Sequence, residues 1–214
     1  MADATAGDGH RVTGASCSTE PEQRAPHRWL RGHVPGEPGI WALVLADMTV
    51  FATFFAVFLI ARIHQPRLFA ESRPQLTVAF GFVNTIVLLT SSLFVACAVR
   101  RLRAGDRPQA TRLVVGAMVC GLIFLAIKVL EYSTEISHGI NPATNDFFLY
   151  YFIFTGIHAA HVILGLAGLA VVRHFVSRRG PGPHDQRIAE VGASFWHMVD
   201  LLWIVLFPLF YLMA

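Results

Sequence analysis

Between Asp146 and Arg173 the chain reads DFFLYYFIFTGIHAAHVILGLAGLAVVR, with no Asp, Glu, Lys or Arg at any position in between. A helix of about 20 mostly apolar residues is long enough to cross the roughly 30 Å of hydrocarbon in a bilayer. Residues 147–172 exceed that length. The reading is a membrane-spanning helix.

Four more stretches fit the same rule, at about 39–62, 77–99, 112–133 and 190–213. The second is free of charge from Arg73 to Arg100, whereas the third meets Lys128 after 15 uncharged residues. The first and last each contain an aspartate, Asp47 and Asp200. Composition agrees: 54% of the 214 residues are hydrophobic and 14% charged, where soluble globular chains carry about 25% charged residues. The predicted fold is all-α, an integral membrane bundle of five transmembrane helices occupying residues 31–214. Residues 1–30 form a polar tail, expected to be poorly ordered. The first 38 residues hold no apolar core segment of the kind a cleavable signal peptide needs.

The net charge of +3 is spread between the apolar stretches, so no nucleic-acid partner is expected. Its placement predicts orientation instead. The N-terminal tail, second connection and fourth connection together hold thirteen Arg, against three in the first connection and none in the third or at the C-terminus. Positive residues stay on the cytoplasmic side, which puts the N-terminus in the cytoplasm and the C-terminus outside. Cys17, Cys97 and Cys120 show no metal or redox spacing. Small residues suited to close helix packing gather in the third span (Gly116, Ala117, Cys120, Gly121) and the fourth (Gly156, Ala159, Ala160, Gly165, Gly168). Pro208 is expected to bend the last span or mark its final turns.

Ionisable residues within such spans are costly, about 2.5–3.5 kcal/mol for each charge on insertion scales. They therefore mark candidate sites: Asp47, Lys128, Glu131, His158, His161, His197 and Asp200. Asp47, His161, His197 and Asp200 are expected at one level in the cytoplasmic half of the bundle, with His158 near the midplane. Lys128/Glu131, His158/His161 and His197/Asp200 are each spaced i,i+3, on one helix face. Lys128 with Glu131 reads as a structural ion pair. For the histidines, interhelical hydrogen bonding, a lipid head-group or proton-linked role, and metal or haem ligation all stay open. Asp47 has no basic residue one turn away on its own helix, so it needs a partner from another helix or a proton of its own. The two Glu-x-x-His motifs of a di-iron bundle are missing, and no metal site or catalytic residue is assigned.

Four segments resemble the subunit III family of haem-copper oxidases. They are Ile40-Trp41-Ala42-Leu43-Val44-Leu45-Ala46-Asp47-Met48-Thr49-Val50-Phe51 with Phe54-Phe55, then Leu130-Glu131-Tyr132. Next come Thr155-Gly156-Ile157-His158-Ala159-Ala160-His161, similar to Gly-x-His-x-x-His, and Phe195-Trp196-His197-Met198-Val199-Asp200-Leu201-Leu202-Trp203, similar to Trp-His-x-Val-Asp-x-x-Trp. The chain resembles the five-helix form, lacking the first two of seven helices. Asp47 stands where the family usually has glutamate. The Pro35-Gly36-Glu37-Pro38-Gly39 entry and Pro208 lean towards the branch associated with nitric-oxide reductase.

The resemblance implies a non-catalytic subunit in the plasma membrane of a respiring cell, with no redox centre of its own. Haem and copper would lie in the partner, subunit I, with subunit II in the same complex and phospholipid bound. Its role would be to stabilise subunit I and support proton uptake, while the complex reduces oxygen and pumps protons. Two other readings stay in view: an accessory membrane subunit of nitric-oxide reductase, and a small proton-coupled transporter.

Overall fold

The computed structural model describes residues 38–177 and 183–213. The polar tail and residues 178–182 lie outside the described residues, and with them the expectation of a poorly ordered N-terminus. Among the described residues, five helices are long and apolar enough to cross a membrane: α1 (Pro38–His64), α3 (Val78–Arg103), α4 (Arg107–Ser137), α5 (Asp146–Ser177) and α6 (Pro183–Phe207). No strand occurs among the described residues.

Each helix is longer than the apolar stretch that announces it. At 1.5 Å per residue the 31 residues of α4 extend roughly 47 Å, well beyond the hydrocarbon. The extensions carry the charges. Asp106 caps α4, its carboxylate accepting from the backbone N–H of Gln109. Arg103 and Arg107 then reach across to Glu190 and Asp185 at the near end of α6, at 2.8 and 2.7 Å.

The first connection holds a short helix that apolar patterning does not reveal, α2 (Pro66–Ser72). Pro66 lacks an N–H and disfavours helix at the residue before it, so α1 stops at His64 and the chain restarts. Phe69, 1% exposed, inserts into an aromatic cluster with its ring 5.4 Å from Phe58 and 5.5 Å from Phe147. Hydrogen bonds from Gln65 to Asp146 and from Asn145 to Ser72, both 2.9 Å, tie the same connection to the start of α5.

Pro208 acts at the other end of the chain. Without its N–H the α-helical ladder cannot continue, and residues Pro208–Leu212 form a wider π turn closed by Met213 N–H donating to the Pro208 carbonyl at 2.8 Å. Leu209, Phe210 and Tyr211 on this turn are all buried. Arg73 holds the turn from outside, donating to the Tyr211 carbonyl at 3.1 and 3.2 Å.

α3, α4, α5 and α6 form the packed bundle, and α1 lies against it. Only 11% of the apolar stretch of α1 is buried, against 56% for the last helix. Without a hydrophobic drive between helices in lipid, close packing has to supply the attraction. Trp196, with no exposed surface, shows how. A Cβ on Gly165 would meet its ring at 2.7 Å, and one on Gly121 at 2.8 Å. The two glycines therefore make a slot for the indole between α4 and α5. Gly156 and Gly168 face open space, so the small-residue stripe is only partly an interface.

Candidate functional site: buried polar groups between helices

The ionisable residues divide by their hydrogen bonds into separate groups. In the first, α4 supplies Lys128 and Glu131, 2% and 0% exposed. Lys128 Nζ lies 2.9 Å from Glu131 Oε2 and donates also to the hydroxyls of Tyr151, at 3.1 Å, and Tyr211, at 3.3 Å. Those three contacts take up the three protons of an ammonium. The Tyr211 hydroxyl donates to Glu131 Oε1 and lies 3.3 Å from that of Tyr151. Aromatic faces complete the enclosure, with Nζ 4.9 Å from the centre of the Tyr151 ring, 5.0 Å from Tyr132 and 5.5 Å from Trp203. Beside the pair, the Tyr132 hydroxyl bonds Thr155, which in turn donates to the Tyr151 carbonyl. A charge pair inside a bilayer survives by such complete pairing. One turn further along α4, Glu135 is buried and its Oε2 has no protein partner.

The second group joins α1 to α5. Asp47 Oδ1 lies 3.1 Å from His161 Nε2, and His161 Nδ1 lies 2.8 Å from the Ile157 carbonyl. A carbonyl only accepts, so Nδ1 carries a proton. The Asp47 contact then requires one more, on Nε2 or on the carboxyl. The pair is partly exposed, at 21% and 19% of the side chains. Asp47 Oδ2 has no hydrogen-bond partner in this chain.

The third group stitches α6 to α3. Trp196 Nε1 donates to Ser91 Oγ at 3.1 Å, His197 Nδ1 lies 2.7 Å from Ser92 Oγ, and Trp203 Nε1 donates to Thr85 Oγ1 at 3.0 Å. Three members of the Trp-His…Trp segment therefore meet three hydroxyls on one neighbouring helix. Asp200, 4% exposed, lies 4.0 Å from His197 Nδ1, too far for a hydrogen bond. Gly165 against Trp196 puts His161 and Asp200 about level on their antiparallel helices, yet His161 bonds Asp47 while neither Asp200 oxygen has a hydrogen-bond partner.

His158, like Asp200, makes no side-chain hydrogen bond. It is fully buried, its ring 5.3 Å from that of Trp203 and 5.5 Å from that of Phe124, and neither ring nitrogen has a hydrogen-bond partner. Among the described residues no group of three or more His, Cys, Asp or Glu is placed to hold a metal ion. The sequence reading passed over Tyr151, Tyr211, Thr155, Ser91, Ser92 and Asn84. Hydroxyls and amides in an apolar run look like ordinary helix residues, and only the three-dimensional register shows which face inward.

Five lipid-length helices, with buried polar side chains used largely to join one helix to another, define a multi-pass membrane protein. The chain belongs to the cytochrome c oxidase subunit III family, whose family model matches residues 37–214. It is 31% identical to cytochrome c oxidase subunit 3 of Synechocystis sp. over 82% of this chain and 74% of that protein. It is 26% identical to cytochrome bo(3) ubiquinol oxidase subunit 3 of Pseudomonas aeruginosa, over 82% of this chain and 84% of the relative. A probable quinol oxidase subunit 3 of Staphylococcus aureus is 24% identical, with 82% and 88% covered. The chain is thus a subunit III of a haem-copper oxidase, and in a bacterium its place is the plasma membrane.

Proposed function

We propose that this chain packs against the haem- and copper-bearing catalytic subunit of the oxidase, stabilises it during turnover, and supports proton uptake and phospholipid binding. What carries this reading is the family match across the whole helical bundle, from residue 37 to 214. The internal geometry supports it. Lys128 and Glu131, the two most deeply buried partners of an ion pair, are saturated by each other and by two tyrosines. The five spanning helices run unbroken until Pro208, which is unlike the discontinuous helices that carry substrate in many transporters.

The face given to the partner in this reading is that of α1. Trp41, Leu43, Leu45, Val50, Ile60 and Ile63 on it are exposed, and Asp47 on the same helix is 21% exposed and bonded to His161. The Arg-rich ends of α3 and α4 lie in the cytoplasm, so Asp47 sits on the side from which protons are taken up. Asp47→Ala is expected to leave the initial rate of oxygen reduction by the purified complex nearly intact while shortening its active lifetime severalfold. Oxygen-electrode traces followed to inactivation measure both. Equal loss of rate and lifetime contradicts the proposal.

A further inference from the structure

His197 is bonded on one side only. Its Nδ1 lies 2.7 Å from Ser92 Oγ on α3, while 39% of its side chain is exposed and Nε2 has no partner among the described residues. That nitrogen opens on the outer face of the α3–α6 seam, not into the core. The exposed hydroxyls along the spans are matched within their own helices. Thr49, Thr53 and Thr90 each donate to the carbonyl four residues back, at 2.7, 2.9 and 2.8 Å. The imidazole Nε2 has no such bond.

Depth narrows what can meet it. On α6 the last charged residue before His197 is Glu190, and on α3 the first after Ser92 is Arg100. At 1.5 Å per residue, both put the imidazole roughly 10–12 Å inside the charged end of the bundle, within the hydrocarbon. Lipid chains offer it no hydrogen bond, and a single methylene is too short a stem to carry the ring back to the headgroups. The surface around it is apolar: Leu201 and Ile204, further along α6, and Leu89 on α3 are all exposed. Histidines within spans ordinarily face the bundle interior and pair with another polar group. One that faces outward calls for that group from outside.

We propose that the face formed by His197, Leu201 and Ile204 receives a transmembrane helix of a neighbouring oxidase subunit, whose hydroxyl, amide or carboxylate bonds His197 Nε2. This rests on the reading of the chain as part of an oxidase complex. The face is separate from that of α1, which meets α5 through Asp47 and His161 and meets α6 through Phe58 against Phe210, far along the helix from His197. The bond to Ser92 fixes the ring, so the incoming helix meets an imidazole whose direction is already set.

A photo-crosslinking residue placed at Leu201, in the full chain within its purified complex, tests this. The expected product is an adduct with a membrane-spanning peptide of another subunit of the haem complex, identified by mass spectrometry. Adducts with lipid alone, or with a second copy of this chain, overturn the proposal and leave the role proposed above standing. Failure to retrieve any haem complex overturns both. Two variants give a second reading. His197→Phe keeps the bulk of the ring and removes Nε2, whereas Ser92→Ala removes only the bond inside the chain. After detergent purification, His197→Phe is expected to retain severalfold less of the crosslinked subunit than Ser92→Ala. Equal retention in the two overturns the proposal.

Discussion

Leucine in place of Glu131, with Lys128 left intact, is expected to prevent the chain from accumulating in the membrane. The substitution strands an ammonium that is 2% exposed. Breaking a buried pair by removing one partner costs about 3–5 kcal/mol. The two tyrosine hydroxyls that remain near Lys128, Tyr151 and Tyr211, carry no charge to replace the carboxylate. The neighbouring Glu135 is buried along the same face, but it sits a turn beyond Glu131. Replacing both members, as Lys128→Met with Glu131→Leu, is expected to restore most of the accumulation. An apolar pair of similar volume is often neutral or better, and the Tyr151 and Tyr211 hydroxyls, 3.3 Å apart, retain each other. Quantitative immunoblots of membranes, with thermal midpoints of whatever complex forms, measure both effects. A double variant no more abundant than the single would mean that the pair has a role beyond neutralising itself.

The second large effect is expected from Trp196→Ala. Truncating a fully buried tryptophan costs about 3–5 kcal/mol, most where the site cannot collapse. This site cannot. Its walls include Gly121 and Gly165, which have no side chains to swing into the void, and Ser91 Oγ loses the indole donor it accepts from at 3.1 Å. The thermal midpoint of the complex should fall sharply. Adding Gly165→Val should then recover part of the loss, because the methyls occupy space the indole has left. In the native chain the same Gly165→Val should be destabilising, since its Cβ would lie 2.7 Å from the ring. Opposite signs in the two backgrounds identify a slot built for this one side chain. Equal losses in both would show that Gly165 matters for some other reason.

The five spans were legible because lipid imposes length and apolarity on any helix that crosses it, and residues 147–172 satisfy both without exception. Their ends were less so. Past the hydrocarbon, helix length is set by caps and tertiary bonds such as Asp106 to Gln109 and Arg107 to Asp185, which hydropathy does not record. α2 escaped for a related reason. Its seven residues are too few for a period to show, and what fixes it is Phe69 packing against residues distant in the chain.

Spacing along one helix predicted which side chains share a face, and Lys128 with Glu131 lies at 2.9 Å. The same spacing puts His197 only 4.0 Å from Asp200, where the histidine turns to Ser92 on another helix instead. Asp47 needed an interhelical partner because its own helix offered none, and that partner is His161. Which of the two histidines on α5 would meet it was not readable from an i,i+3 pattern. The answer lies in the rotation of α5, which turns His158 into the bundle and His161 towards α1.

As a subunit III, this chain is expected to belong to a redox complex without holding a redox centre itself. A tag on this chain should therefore retrieve, in mild detergent, a complex with a haem reduced-minus-oxidised difference spectrum and oxygen-reducing activity. The same chain produced alone should come through purification with no Soret absorbance. Stoichiometric haem on the lone polypeptide, or a retrieved complex without haem, would contradict the account.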